Sequence, residues 1–158
     1  IIIGLAFSYL SRKTRIPVIH NLLEIFEREE DMKNFPGKGI IFYFIGVYLA
    51  LLLFSKDIAM ASIMVLALAD STSHLFGLHF GKTKYPLSKT KFLEGTIAGL
   101  VAGFIGALIF ARPIEALFAS LAAMIVETIE IKIGAEQVDD NIMIPLVSGA
   151  AIWLIRLV

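Results

Sequence analysis

The stretch Ile58–Phe76, "IAMASIMVLALADSTSHLF", decides the fold. Residues 58–69 carry no charge and one polar side chain, Ser62, and the apolar run continues to Phe80. A helix needs roughly 20 residues to cross a bilayer, and 58–80 supplies that length. Asp70 lies inside the run. An acid near the centre of a membrane helix costs about 2.5–3.5 kcal/mol on insertion scales, so Asp70 must face a polar cavity or a partner. Asp70, Ser73, Gly77 and Gly81 follow at spacings of three, four and four, with His74 between them. At 100° per residue they share one helical face. Ser73, Gly77 and Gly81 also form a small-residue stripe of the kind that lets a second helix come close.

Composition extends this reading to the whole chain. Of the 158 residues 58% are hydrophobic, and the mean hydropathy is +0.82. A soluble domain is nearer half apolar, so a multi-span membrane protein is expected. Fourteen basic and fourteen acidic residues cancel. Net charge therefore points to no partner, and no nucleic acid is expected. There is no cysteine, which excludes disulfides, thiolate metal sites and a cysteine nucleophile.

Working outward, apolar runs separated by charge predict an all-α, polytopic helix bundle forming one domain over 1–158. Complete spans are expected at about 39–55, 58–80, 95–111, 113–131 and 141–158. The segment 1–10 reads as the remnant of a further helix whose start is missing. Val18, Leu22, Ile25 and Phe26 share a face in "IPVIHNLLEIFEREEDM", Ile16–Met32, opposite Glu24, Glu27, Arg28 and Glu30. That pattern fits a helix at the membrane surface, or equally a packed connector. Loops after the remnant and after the 58–80 and 113–131 spans hold Arg12, Lys13, Arg15, Arg28, Lys33, Lys38, Lys82, Lys84, Lys89, Lys91 and Lys132. These are 11 of the 14 Lys and Arg. The other side holds Lys56, Arg112 and Arg156, so the first set of loops is expected to be cytoplasmic.

The chemistry-bearing residues all lie on that side. "GLHFGKTK", Gly77–Lys84, imitates a Walker A loop but is one residue short and follows a membrane helix rather than a strand. The loop to Gly95 carries Lys82, Lys84, Lys89 and Lys91, then Glu94. Such lysines serve topology and lipid headgroups as readily as a ligand. With flanking glycines they also suit phosphate, which backbone amides and ammonium groups bind together. Gly95, Gly99 and Gly103 make a ridge that suits packing against the small face of 58–80, and the helix start beside it points free N–H groups into the same region. Ala116, Ser120, Ala123, Glu127 and Glu130 share a face leading to two carboxylates; Glu130 reads as interfacial and Glu127 as deeper. Asp139, Asp140 and Asn141 open the last span. Alone they are an ordinary helix cap. Beside a lysine and glycine loop they read as a magnesium–nucleotide site, since magnesium takes one or two carboxylates plus substrate phosphates.

The stretch 70–95 resembles the pattern D-x-x-A-x-x-x-G-x-x-x-G-x8-K-K-T-x-E-G of the dolichol kinase, phytol kinase and CTP-dependent diacylglycerol kinase family. Asp70, Gly77, Gly81, Lys91, Glu94 and Gly95 fall in register, while Ser73, Thr90 and Phe92 depart from it. "FPGKG", Phe35–Gly39, and "DDNIMIPLVSG", Asp139–Gly149, are similar to two further segments of that family. The resemblance implies a multi-pass kinase that moves the terminal phosphate of CTP to a membrane alcohol, either a polyprenol- or phytol-like isoprenoid or diacylglycerol. It implies catalytic roles for Asp70, Lys91 and Glu94. Nucleotide contacts are expected from Gly77, Gly81, Lys82, Lys84, Lys89, Gly95 and Asn141, and magnesium ligands from Asp139, Asp140 and Glu127. The site is expected to face the cytoplasm, in the cell membrane of a prokaryote or the endoplasmic reticulum of a eukaryote. Two other readings stay open on the residues: a CDP-lipid synthase, and a small transporter with Asp70, His74 and Glu127 as an ion path.

Overall fold

The computed structural model describes residues 37–85, 91–129, 132–133 and 136–157. The helix remnant predicted at 1–10, the surface helix or connector predicted at 16–32, Phe35, Lys89 and Glu130 lie outside the described residues. The chain divides into two compact units, Ile1–Ile45 and Gly46–Val158.

Five helices follow the five apolar runs. They are α1 (Lys38–Leu53), α2 (Lys56–Phe80), α3 (Leu93–Ala107), α4 (Pro113–Thr128) and α5 (Asp140–Leu157). One β ladder is present among the described residues, a two-residue antiparallel pair of β1 (Lys132–Ile133) with β2 (Glu136–Gln137) ahead of α5. By length and composition, α2 and α5 are long and apolar enough to cross a membrane, and α1 and α3 are shorter apolar helices. The predicted 95–111 span stops short, because α3 gives way to a turn after Ala107. Pro113 then starts α4 at a position where a missing N–H costs nothing.

The second unit is built on small residues. In α3, Gly95, Gly99, Gly103 and Gly106 are buried, while Ile97, Val101 and Ile105 on the other side are more than half exposed. A Cβ on Gly99 would lie 2.7 Å from the Ala69 carbonyl oxygen of α2 and 2.7 Å from Met124 Sδ of α4. One on Gly103 would lie 2.8 Å from Ser120 Oγ. The glycine ridge thus lets α3 pack against both neighbours at backbone distance. Ser120 Oγ fixes the α3–α4 register by donating to the Leu100 carbonyl at 2.7 Å. In α4, Ala116, Ala119, Ser120 and Ala123 are fully buried, and this face also meets α5. Pro145 of α5 cannot donate to the Asn141 carbonyl one turn back, and Gly46 of α1 packs on that carbonyl, leaving no room for a Cβ.

Charges within this unit gather at the helix ends in two groups. At one end Arg156 of α5 donates from Nε and Nη2 to the buried Glu115 of α4, at 3.1 and 3.0 Å, and from Nη1 to Asp57 of α2. This clamp joins three helices. It was not foreseen from the sequence, where Arg156 counted only as a basic residue of the poorer side. The other group contains the candidate site.

Candidate active site

The approach to the site is fixed by backbone pairing. Leu93 N–H donates to the Thr83 carbonyl at 2.9 Å and Tyr85 N–H to the Lys91 carbonyl at 3.2 Å, so segments 83–85 and 91–93 run antiparallel. Glu94, in the first turn of α3, accepts from the amides of Lys82 (3.1 Å) and Thr83 (3.1 and 3.2 Å). Backbone amides, its own and those of Thr83 and Lys82, hold its carboxyl down at a pKa of about 2. Glu94 therefore anchors the basic segment, and these two amides are already engaged rather than open to phosphate. Gly81 has room for no Cβ, being pressed between the Gly77 carbonyl and the Phe92 ring, and Gly95 lies against the Ser73 carbonyl. Gly81 and Gly95, which with Gly77 were expected to contact the nucleotide, also allow the close approach of α2, Phe92 and α3. Lys84 Nζ lies 5.7 Å from the Phe92 ring centre, a cation–π contact, and Lys82 is exposed. A cavity of about 320 Å³ beside it is lined by His79, Phe80, Gly81, Lys82 and Glu94.

Lys91 turns the other way, into the bundle. Its Nζ lies 2.6 Å from Glu127 Oε1 and 3.1 Å from Asp140 Oδ2, with its side chain 15% exposed. Burial works against the ammonium charge, but the two carboxylates outweigh it and hold Lys91 above the usual lysine range. Ser73 Oγ of α2 donates to the same Glu127 oxygen at 3.1 Å. The second oxygen, Oε2, is buried and has no hydrogen-bond partner among the described residues. Asp70 is half-buried at the end of a π-helical turn, Leu66–Asp70, and lies within electrostatic reach of Lys91, Asp140, Glu127 and Asp139. Single π-turns of this kind recur at functional sites. The twin aspartates divide their work. Asp139 Oδ1 accepts from the Asn141 backbone (3.0 Å) and side-chain (2.9 Å) N–H groups, as a helix cap does, while Asp140 faces Lys91.

Three stretches far apart in sequence thus meet: Asp70 and Ser73 of α2, Lys91 before α3, and Glu127 with Asp139 and Asp140. His74, by contrast, is exposed. Ser73 was read from the sequence only as a small residue, and its hydrogen bond to Glu127 has no sequence signature. No three His, Cys, Asp or Glu side chains among the described residues are gathered closely enough to hold a metal by themselves. Magnesium does not need three: one or two carboxylates, with water and substrate phosphates, complete its shell. The hard oxygens of Asp139, Asp140 and Glu127, one of them buried without a partner among the described residues, fit it.

The uncharacterized protein MJ1137 of Methanocaldococcus jannaschii is 30% identical over 148 residues, covering 93% of this chain and 72% of that protein. CTP-dependent diacylglycerol kinase 1 of Schizosaccharomyces pombe is 29% identical over 139 residues, 80% of this chain and 63% of its own length. Phytol kinase 1, chloroplastic, of Arabidopsis thaliana is 28% identical over 134 residues, 74% of this chain and 43% of its own length. The chain therefore spans less than two thirds of either of these two kinases. No family model and no solved structure matches it. By its identity to MJ1137 across most of both sequences the chain belongs to that protein's family, and the other relatives bear the names of CTP-dependent diacylglycerol kinase and phytol kinase.

Proposed function

We propose that the protein is an integral-membrane, CTP-dependent kinase of lipid alcohols, with five spans and its site on the cytoplasmic side. The acceptor is the hydroxyl of a long-chain isoprenoid alcohol or of diacylglycerol, reaching the site sideways from the bilayer. The observation that carries the reading is the seating of Lys91 between Glu127 and Asp140, within electrostatic reach of Asp70. A lysine from a basic segment and a half-buried acid of an apolar helix converge there, an arrangement that suits phosphoryl transfer beside a lipid phase. The apolar surfaces agree with a lipid setting: Leu75 and Leu78 of α2, Ile97 and Ile105 of α3, and Trp153 and Leu154 of α5 are all exposed.

Lys82 and Lys84 hold the triphosphate at the approach. Lys91 neutralises charge on the transferring group, and catalysis here is chiefly positioning and charge neutralisation. Asp70 accepts the hydroxyl proton as the alcohol oxygen bonds to the terminal phosphorus. The bond from that phosphorus to its bridging oxygen breaks, and CDP leaves. Asp139, Asp140 and Glu127 would hold magnesium, which when bound offsets phosphate charge, and Asn141 would contact the nucleotide. The test is purified protein in detergent, given labelled CTP and then ATP with a panel of lipid alcohols. CDP together with a phosphorylated lipid is the expected result. Pyrophosphate release would instead mean cytidylyl transfer, and no nucleotide turnover with any alcohol would end the proposal.

A further inference from the structure

Among the described residues, carboxylates outnumber cations around Lys91. Asp70, Glu127, Asp139 and Asp140 all act in one region, and the cation placed among them is the Lys91 ammonium. Glu127 is 3% exposed, and its Oε2 is left without a partner among the described residues. Carboxylates withdrawn from water need a cation close by, and here a flexible side chain provides one. The ammonium lies against Glu127 Oε1 and Asp140 Oδ2, two of the three carboxylates that fit a divalent ion. Two cations cannot share that space, since like charges a few ångströms apart repel strongly where water is scarce. Lys91 also joins the backbone pairing that carries Lys84 and leads to Lys82, the lysines that would meet a triphosphate.

We infer that Lys91 is a built-in substitute for the divalent cation: in the ligand-free protein its ammonium occupies the place between Glu127 and Asp140 that the metal takes once a nucleotide triphosphate draws the lysine away. The inference rests on the kinase reading for the nucleotide, but not for the exchange of cations. Metal binding without nucleotide is weak because it must displace an ammonium. Nucleotide binding removes the competitor, so each ligand tightens the other by the same factor. The carboxylates are never left together without a cation.

The test uses Mn2+ as the probe, read by electron paramagnetic resonance on the purified full chain in detergent without nucleotide or lipid. Lys91→Met is expected to bind Mn2+ at least tenfold more tightly than the unsubstituted protein, and Lys91→Arg to stay weak. A non-hydrolysable CTP analogue should tighten Mn2+ binding to the unsubstituted protein and lose that effect in Lys91→Met. A folded Lys91→Met with unchanged or weaker Mn2+ affinity would overturn the inference. A second measurement covers the case in which that variant does not fold. In the unsubstituted protein, saturating Mn2+ should raise acylation of Lys91 by an amine-reactive ester, read by mass spectrometry; unchanged labelling would equally overturn it. Neither metal measurement needs turnover, so a failure of the kinase assay and a failure of this exchange are separately visible.

Discussion

Replacing Arg156 with Met should destabilise the helix bundle through the acid it leaves behind. Glu115 has a side-chain exposure of 2% and takes two hydrogen bonds from the guanidinium, at 3.1 and 3.0 Å. Removing one partner of a buried pair typically costs about 3–5 kcal/mol. Arg156 is itself 32% exposed and Asp57 49%, so water already screens part of the arrangement. Asp57 also keeps its 2.7 Å bond from Ser55 Oγ. A loss of about 2–4 kcal/mol is therefore expected. Adding Glu115→Met removes the stranded carboxylate and should recover most of the loss. It forfeits only the bond from the Arg112 amide at 3.0 Å, worth about 1 kcal/mol. The coupling between the two substitutions should then be about 2 kcal/mol, positive for the pair. The assay is reversible unfolding in mixed micelles with increasing dodecyl sulfate, followed by helical circular dichroism, for wild type, both singles and the double variant. Additive losses, or a single Arg156→Met loss under about 1 kcal/mol, would refute the clamp.

Other outcomes follow from the site and its packing. Asp70→Asn should leave unfolding unchanged but reduce CDP release at least about a hundredfold, the usual contribution of a positioned base; unchanged turnover would remove Asp70 from the mechanism. Gly99→Ala places a methyl 2.7 Å from the Ala69 carbonyl and should cost about 1–3 kcal/mol in the same unfolding assay. Gly39→Ala, which meets nothing within 4 Å, should change stability by less than about 0.5 kcal/mol. The Glu94 carboxyl is held below its ordinary value, so the stability it lends the Lys82–Thr83 segment is complete above about pH 4.5 and is lost as pH falls toward about 2. Hydrogen-exchange protection of those two amides should follow that window and should lose it in Glu94→Gln.

The helices were legible because apolar runs bounded by charge mark where a helix begins and ends. All five complete runs became helices, four of them to within three residues at either end. Residues 108–111 were the exception: they are as apolar as the helix before them, yet they turn toward Pro113, and composition alone does not register a change of direction. The π-turn before Asp70 was equally hidden, because it alters one step of hydrogen-bond register and no residue type. Within the site, the sequence named Asp70, Lys91, Glu127 and Asp140 but not their pairing, which joins residues 36 and 49 apart. Glu94 was named for catalysis and Asp139 for magnesium, and both spend oxygen lone pairs on backbone amides. A carboxylate beside a helix start is ambiguous in this way, since anchoring a backbone and binding a cation call on the same atoms.

The two charged groups differ in a way that separates structure from chemistry. In the Arg156 group, Asp57 and Glu115 meet one guanidinium, Arg112 borders the same cavity, and the summed charge is near zero. Every buried oxygen there has a donor among the described residues. Around Lys91, among the described residues, four carboxylates act with one ammonium, and a buried Glu127 oxygen has no donor. Unbalanced charge is costlier in an apolar bundle than in water. An excess of carboxylates among the described residues is what the proposed site would need if cations and the proton of a reacting alcohol are to arrive from outside. Among the described residues the balance of charge, more than the number of charged residues, separates the two ends, and it is the ground on which the Lys91 end is proposed as the reactive one.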